Sequence, residues 1–327
     1  MHERRQRLYD RLVTREENFG RGKIEMEMGM IGLGRMGGNM AQRLTKGGHS
    51  IFAFDPSQEA LKAAVQHGVI GASSLVDLVE QLPPPRAIWV MVPAGAATED
   101  TIKSVAGAMA PGDAIIDGGN SNYKDSVRRA ASLAERGLQF LDAGTSGGIW
   151  GLAEGYSMMV GGDPEAFRRL EPIFQTLAPA NDKGYGYVGP AGSGHFVKMV
   201  HNGIEYGMMQ AFAEGFELMK AKEEFGLDLA NISEIWRYGS VVRSWLLDLI
   251  AASLKEDSGL ESLQAYVDDS GEGRWTVDES IELAVPVPVI TASLQARFRS
   301  RQDQPFGVKL LAAMRNQFGG HAVKAAN

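Results

Sequence analysis

The segment that most constrains the fold is a glycine-rich turn near the start of the chain. A short apolar run at residues 28–31 leads into the turn, helix-like sequence follows at residues 39–44, and a second apolar run at residues 50–55 ends in an acid. A GxGxxG turn in this setting is typical of dinucleotide binding, because its glycines let the backbone approach a pyrophosphate and the helix offers free N–H groups. A tight turn without a ligand is the alternative. The predicted cofactor contacts are Gly32, Leu33, Gly34, Arg35, Met36 and Gly37.

The acid at the end of the second strand predicts which dinucleotide is bound. Asp55 follows Gly37 by 18 residues, close to the spacing of about 20 expected for the residue that holds the adenosine ribose hydroxyls. A carboxylate there repels a 2′-phosphate, and neither Pro56 nor Ser57 supplies an arginine to attract one. We therefore predict NAD, with NADP disfavoured. Asp55 is also suited to be the N-cap of the next helix, and the two roles can coexist.

Strand-like and helix-like segments continue to alternate as far as residue 188, which indicates a doubly wound sheet. The predicted strands are residues 86–92, 113–117, 139–142, 156–160 and 184–188, and the predicted helices are residues 61–66, 74–81 and 164–177. In such sheets a ligand lies at the carboxyl ends of the strands. We therefore expect Val92, Pro93, Ala94 and Asn120 to line the cofactor.

A Ser-Gly-Gly turn follows the strand predicted at residues 139–142. Ser146, Gly147 and Gly148 form this turn, and a row of free backbone N–H groups in such a turn is suited to a carboxylate. A plain flexible turn explains the same sequence equally well.

Beyond Gly189-Pro190 the sequence becomes helical, with isoleucine, leucine and tryptophan at helical spacing in residues 232–236, 241–254 and 281–294. We predict an α/β protein in which an N-terminal Rossmann-type doubly wound sheet at residues 26–189 precedes an all-α domain at residues 190–327. Residues 1–25 are rich in Arg and Glu and lack an apolar core. They are interpreted as a disordered arm or a wrongly assigned start, not a signal peptide.

One predicted helix carries a stripe of polar side chains. Lys198, His201, Asn202 and Glu205 stand at i, i+3, i+4 and i+7, so all four project from one face of a helix that is otherwise mostly apolar. Burying either charge alone costs roughly several kcal/mol. The stripe is therefore either one face of an active site or a structural ion pair.

Composition excludes several classes of function. The 327 residues include no cysteine, which rules out disulfides, thiolate catalysis and cysteine-bound metals. The net charge of −7 argues against general nucleic-acid binding, and no apolar run approaches the roughly 20 residues that span a bilayer. His201 and Glu205 lack an evident third metal ligand, so no metal site is predicted. We expect a cytoplasmic protein without nucleic-acid or membrane partners.

Three stretches together carry a family resemblance. Residues 117–123 (Asp-Gly-Gly-Asn-Ser-Asn-Tyr), the Ser146-Gly147-Gly148 turn and residues 194–206 (Gly-His-Phe-Val-Lys-Met-Val-His-Asn-Gly-Ile-Glu-Tyr) resemble the decarboxylating 6-phosphogluconate dehydrogenases of the β-hydroxyacid dehydrogenase superfamily. The resemblance covers roughly residues 28–321. Because the helical domain is much shorter than the duplicated domain of the long-chain enzymes, the chain looks like the short-chain, NAD-preferring branch.

The resemblance implies a role for each matching residue. Lys198 would be the general base at the substrate's 3-hydroxyl, and Glu205 the acid that protonates carbon after CO2 leaves. The other implied substrate contacts are Asn120, Ser146, Gly147, Gly148, His201, Asn202, Tyr206 and Arg297. Of these, Tyr206 and Arg297 would contact the substrate's phosphate. Arg315 and His321 would reach into the partner subunit's site. The implied assembly is therefore a homodimer or homotetramer.

One motif departs from the family. Where long-chain members usually have Lys-Gly-Thr-Gly-Lys-Trp-Thr, residues 270–276 read Ser-Gly-Glu-Gly-Arg-Trp-Thr. Ser270 and Glu272 thus replace a phosphate-binding lysine and threonine, and Arg274 is a possible substitute. The sequence favours oxidative decarboxylation of 6-phosphogluconate. The alternatives are a β-hydroxyacid dehydrogenase acting on a small unphosphorylated acid and a non-catalytic dinucleotide-binding protein.

Overall fold

The computed structural model describes residues 25–324. The extension predicted at residues 1–25 lies outside this part of the chain except for its last residue. In the part that is described, no helix is both long and apolar enough to cross a membrane. Contacts divide the chain into two compact units, one ending at Lys198 and the other beginning at Met199.

The first unit is built on one eight-stranded sheet. Its strands are β1 (Glu27–Ile31), β2 (Ser50–Phe54), β3 (Ile70–Gly71), β4 (Ala87–Val90), β5 (Ala114–Asp117), β6 (Gln139–Ser146), β7 (Ser157–Gly162) and β8 (Tyr185–Gly189). They lie in the order β3-β2-β1-β4-β5-β6-β7-β8. Every neighbouring pair is parallel except β6 with β7. The predicted doubly wound sheet is confirmed.

Helices accompany the sheet on both faces. They are α1 (Arg35–Lys46), α2 (Gln58–Val65), α3 (Leu75–Glu80), α4 (Ala96–Ala108), α5 (Tyr123–Ala134), α6 (Gly151–Glu154) and α7 (Pro164–Leu177). Successive strand residues point to opposite faces. On β4, Trp89 therefore belongs to the core formed with α1 and α7, whereas Ile88 and Val90 belong to the core formed with α3 and α4.

The second unit is helical. Helix α8 (Ser193–Ala221) crosses the division between the units, and α9 (Leu229–Trp236), α10 (Trp245–Glu256), α11 (Glu272–Glu282), α12 (Pro288–Ser300) and α13 (Phe306–Gly319) follow. Contacts thus divide the chain inside α8, while the domain boundary at Gly189-Pro190, at the end of β8, stays a prediction. The division falls inside α8 because the first turns of this helix pack on the sheet.

Several local predictions differ from the structure. The helical spacing predicted across residues 281–294 is interrupted between α11 and α12, because Pro286 and Pro288 cannot continue a helix and Ala284 adopts a positive φ of 54°. Helices α4 and α5 were not predicted, since small and polar residues weaken their periodicity. Strand β6 continues to Ser146, four residues beyond its predicted end.

Candidate active site

The glycine-rich turn has the shape that a dinucleotide requires. Gly32 has a φ of 90°, and a Cβ there would collide with the carbonyl of Met91, while a Cβ on Gly37 would collide with the carbonyl of Gly32. Gly34 has open space beside it and caps α1 without a side-chain hydrogen bond. The turn therefore stays narrow at its base and leaves the N-terminus of α1 uncapped by a side chain, which suits a pyrophosphate.

Asp55 fastens this turn to the end of β2. One carboxylate oxygen accepts the Leu33 N–H at 2.6 Å, and the other accepts the Ser57 N–H at 2.7 Å. The N-cap of α2 is Ser57, whose hydroxyl accepts the Ala60 N–H at 3.2 Å. Asp55 is therefore not the N-cap that was considered as its alternative role. It places negative charge directly beside the cofactor turn.

The carboxyl ends of β4 and β5 reach the same edge of the sheet. Val92 is partly buried, and Pro93, Ala94 and Asn120 are exposed. The two loops lie against each other, since a Cβ on Gly119 would lie 3.0 Å from the carbonyl oxygen of Val92. Because β1, β4 and β5 are parallel neighbours, the structure brings these residues to the edge that carries the glycine-rich turn.

A buried charged network, absent from the sequence predictions, supports the Asn120 loop. Arg129 on α5 donates to Asp117 Oδ2 at 2.9 Å, to Ser121 Oγ at 3.2 Å and to Glu99 Oε2 at 3.0 Å. The Ser121 hydroxyl also donates to Asp117 at 2.8 Å. Asp117 and Ser121 lie on either side of Asn120, so the network holds both ends of its loop. Arg128 and Arg129 are adjacent in a segment that was not predicted to be helical, and nothing in its pattern indicated this role.

The Ser-Gly-Gly turn begins at the last residue of β6. Gly147 and Gly148 have φ angles of 135° and 51°, and a short 3-10 helix starts at Gly148. Ser146 and Gly147 are partly buried, whereas Gly148 is exposed. Two consecutive positive φ values explain the paired glycines. The turn thus has a sharply bent backbone.

Helix α8 carries the predicted polar stripe. Lys198 and Asn202 are each 8% exposed, while the side chains of His201 and Glu205 are 41% and 40% exposed. His201 Nδ1 lies 3.0 Å from Asn202 Oδ1 and 4.0 Å from Glu205 Oε2. Since the helix runs without a break from Ser193 to Ala221, its geometry places the four residues on one face.

In the second unit the structure brings Tyr206 and Arg297 together. The Arg297 guanidinium lies 3.5 Å from the centroid of the Tyr206 ring, and the Tyr206 hydroxyl accepts the Ser270 N–H at 3.0 Å. The Ser270 hydroxyl donates to Glu272 at 2.5 Å, and Glu272 is 3% exposed. The motif at residues 270–276 therefore packs directly on Tyr206, one of the two residues assigned to the substrate's phosphate.

Arg274 is engaged elsewhere in the second unit. Its guanidinium donates to both carboxylate oxygens of Asp269, at 2.8 and 3.0 Å, and Arg301 donates to the same carboxylate at 2.9 Å. The hydrogen bond from Arg274, reinforced by that from Arg301, lowers the pKa of Asp269 to about 2. A phosphate would have to compete with Asp269 for Arg274.

The two tail residues lie apart from any packed core. Arg315 is exposed on α13, and no residue of that helix is buried. His321 follows the helix, and its carbonyl accepts a hydrogen bond from Asn316 at 2.9 Å. Residues 25–324 contain no group of three or more His, Asp and Glu side chains placed to hold a metal ion.

Comparison with known proteins identifies the family. Residues 27–189 match the NAD binding domain of 6-phosphogluconate dehydrogenase, and residues 194–305 and 219–327 match its C-terminal domain. The chain belongs to the 6-phosphogluconate dehydrogenase family. It is accordingly an oxidoreductase with an NAD(P)-binding domain.

Three relatives illustrate the relationship. The NAD(+)-dependent, decarboxylating 6-phosphogluconate dehydrogenase of Haloferax volcanii is 44% identical over 299 residues, covering 91% of this chain and 98% of the relative. A putative 6-phosphogluconate dehydrogenase of Bacillus subtilis is also 44% identical, covering 91% and 99%. The Plasmodium falciparum 6-phosphogluconate dehydrogenase structure aligns with a TM-score of 0.78 at 30% identity, covering 92% of this chain and 66% of that chain.

Proposed function

We propose that this enzyme oxidatively decarboxylates 6-phospho-D-gluconate to D-ribulose 5-phosphate and CO2 with reduction of NAD. Two observations support the choice of NAD. Asp55 sets a carboxylate beside the glycine-rich turn, hydrogen-bonded to Leu33, where it would repel a 2′-phosphate. The 44%-identical Haloferax relative, which spans nearly the same length, is described as NAD(+)-dependent.

In the first chemical step Lys198 is the general base. Bound NAD supplies the hydride acceptor. A neutral Lys198 amine takes the proton of the 3-hydroxyl as hydride leaves C3, which turns that carbon into a ketone and leaves the lysine positively charged. Asn120, at the edge shared with the cofactor turn, orients the substrate toward the nicotinamide.

The second step uses the charge that Lys198 has gained. The bond from C2 to the carboxylate breaks, CO2 departs, and the electron pair moves onto the C3 oxygen as an enediolate. Protonated Lys198 stabilises this oxygen. Glu205 then delivers a proton to the carbon that has lost the carboxylate, C1 of the product. Ser146, Gly147 and Gly148 hold the carboxylate before it leaves, with His201 and Asn202 on the hydroxyls.

The observation that carries this proposal is the polar face of α8. A lysine and an amide that are each 8% exposed lie one turn apart on that face, followed by a half-exposed glutamate in the same stripe. The purified protein should convert 6-phosphogluconate and NAD into equal amounts of NADH and CO2 without added metal. NADH without CO2 would contradict decarboxylation, and a higher kcat/KM with NADP would contradict the cofactor assignment.

Exchange of the proposed base gives a sharper test. Lys198→Met should abolish turnover while NAD binding stays nearly unchanged, because the predicted cofactor contacts lie in the first turn of α1 and in the loops that follow β1, β2, β4 and β5. Lys220→Met is the matched control, since Lys220 lies in the last turn of the same helix and has no assigned role. A folded Lys198→Met enzyme that still turns over would remove Lys198 from the base role.

We also propose a homo-oligomer in which Arg315 and His321 complete the neighbouring site. Helix α13 supports this, because it exposes Phe306, Leu311 and Phe318 and buries none of its residues within the single chain. Lys198→Met and Arg315→Ala enzymes should each be inactive but regain activity when unfolded and refolded together. Failure of the mixture to gain activity would show that the tail serves its own chain.

One observation favours a second substrate class. Glu272 is a buried acid hydrogen-bonded to Ser270, which in turn bonds to Tyr206, a residue assigned to the phosphate. A carboxylate at this position would repel the phosphate of the substrate. A small unphosphorylated hydroxy acid would avoid that repulsion. Competition between gluconate and its 6-phosphate separates the two, since only a phosphate-binding enzyme prefers the phosphorylated acid strongly.

A further inference from the structure

The N-terminus of α8 is capped by a residue from a distant part of the chain. Asp142 on β6 accepts the Gly192 N–H on one carboxylate oxygen at 2.7 Å and the His195 N–H on the other at 2.8 Å. Its side chain is fully buried. The first N–H groups of a helix lack intrahelical partners and carry partial positive charge, so they stabilise a buried carboxylate. Asp142 therefore fixes the start of α8.

The same face of β6 also sets how closely α8 approaches the sheet. Gly144 lies two residues beyond Asp142, and a Cβ there would lie 2.6 Å from the carbonyl oxygen of Gly194 and would collide with the Cβ of Lys198. On β7, a Cβ on Gly161 would lie 2.7 Å from the Gly194 nitrogen. The first two turns of α8 therefore rest directly on backbone.

A third contact fixes the rotation of the helix. The Ser126 hydroxyl on α5 lies 2.7 Å from Nδ1 of His195, and both side chains are buried. His195 thus contacts β6 through its backbone N–H and α5 through its ring. With its start, its distance from the sheet and its rotation all fixed, the first part of α8 has one position.

We propose that Asp142 is a positioning residue for Lys198. This inference rests on the proposed role of Lys198 as the base. Lys198 stands one turn after His195, so the register that Asp142 imposes on α8 also sets where the lysine emerges. Ser146, assigned to the substrate carboxylate, lies on the same face of β6, two residues beyond Gly144. One strand therefore sets the distance between the base and the turn that holds the substrate.

Asp142→Asn tests the proposal with little change in size. An asparagine can accept only one of the two N–H groups and directs its own NH2 toward the other, so the first turn of α8 must shift. We expect kcat to fall about 10- to 100-fold, the loss typical of a displacement near 1 Å, with NAD affinity unchanged. Gly144→Ala, which keeps the cap but pushes Lys198 outward, should lower kcat similarly.

Asp163→Asn is the matched control. Asp163 caps α7 in the same unit, but a single oxygen accepts both the Glu165 and the Ala166 N–H, at 2.8 and 2.9 Å. An asparagine oxygen can keep both bonds, and no site residue lies on α7. We expect wild-type kcat, and a comparable loss in this control would overturn the specific role of Asp142.

Two further readouts separate positioning from stability and from the proposed function. Hydrogen exchange of residues 192–198 should accelerate in Asp142→Asn and not in Asp163→Asn, whatever reaction the enzyme catalyses. The acidic limb of the kcat–pH profile should keep its midpoint while the plateau falls. A shifted midpoint with an unchanged plateau, or faster exchange with unchanged kcat, would refute positioning. Absence of any turnover in the wild-type enzyme would refute only the proposed function.

Discussion

Replacing Arg129 with methionine should destabilise the first unit more than any surface change on the same helix. The side chains of Arg129 and Asp117 are 2% and 0% exposed, and their atoms lie 2.9 Å apart. Removing one member of a buried ion pair leaves the other charge without compensation, which costs about 3–5 kcal/mol. Methionine keeps the aliphatic volume, so the loss reports the charge and its hydrogen bonds.

The assay is urea unfolding with a thermal shift in parallel. For a unit of this size each kcal/mol lowers the melting temperature by about 2–4 °C, so a fall of roughly 6–20 °C is expected. Arg128→Met is the control, because Arg128 is the adjacent residue, also pairs with Glu99, and has a side chain that is 56% exposed. Exposed pairs contribute about 1 kcal/mol or less.

The double variant Asp117→Asn with Arg129→Met completes the test. Removing the Asp117 charge that Arg129→Met leaves unpaired should recover part of the lost stability. The expected coupling energy between the two sites is at least about 1 kcal/mol. Equal losses in Arg129→Met and Arg128→Met, or strictly additive losses in the double variant, would show that the buried pair does not dominate. Activity should fall as well, since the network holds the loop that carries Asn120.

Three other outcomes follow from particular contacts. Asp55→Asn should shift kcat/KM toward NADP by about five- to 100-fold, since removing a carboxylate about 5 Å from a phosphate relieves about 1–3 kcal/mol of repulsion; an unchanged NAD/NADP ratio would contradict the cofactor assignment. The hydrogen bond from Arg128 lowers the pKa of Glu99 from 4.5 to about 2. The stability that ionised Glu99 contributes is therefore present above pH 4.5 and lost as the pH falls toward 2. In Glu99→Gln the melting temperature should depend less on pH over that range. Tyr206→Phe should raise KM for the phosphorylated acid by about two- to tenfold, as expected for one lost hydrogen bond, and an unchanged KM would remove the Tyr206 hydroxyl from the phosphate contact.

The parts of the molecule that the sequence predicts correctly are those with local signals. The glycine-rich turn and the alternation of strands and helices through β8 depend on residues close together in the chain, and Asp55 stands at the end of the strand that was predicted for it. The face of α8 likewise follows from the helical period alone. Each of these features depends on fewer than about 20 consecutive residues, and patterns of that length can be recognised from hydrophobic periodicity and turn residues.

The features that were not predicted from the sequence depend on contacts between distant residues. Asp142 bonds to backbone N–H groups 50 and 53 positions away, and Ser126 meets His195 across 69 positions. No local pattern encodes such pairings. A signal for Asp142 was nevertheless present, because an acid inside an apolar strand is rarely fully buried without a partner.

Strand β6 departs from the ordinary pattern of a buried strand where it faces the proposed base. Leu141 and Ala143 belong to one hydrophobic core, and Phe140 to the other. The two positions that follow Phe140 on its face are an aspartate and a glycine, where a strand buried on both sides would carry apolar residues. The aspartate is explained by the N-terminus of α8, and the glycine by the close approach of Lys198. Both departures face the same helix. Gly144 made β6 look four residues shorter than it is. The prediction of β6 therefore failed where the strand stops packing in the core and starts to contact the helix that carries the proposed base.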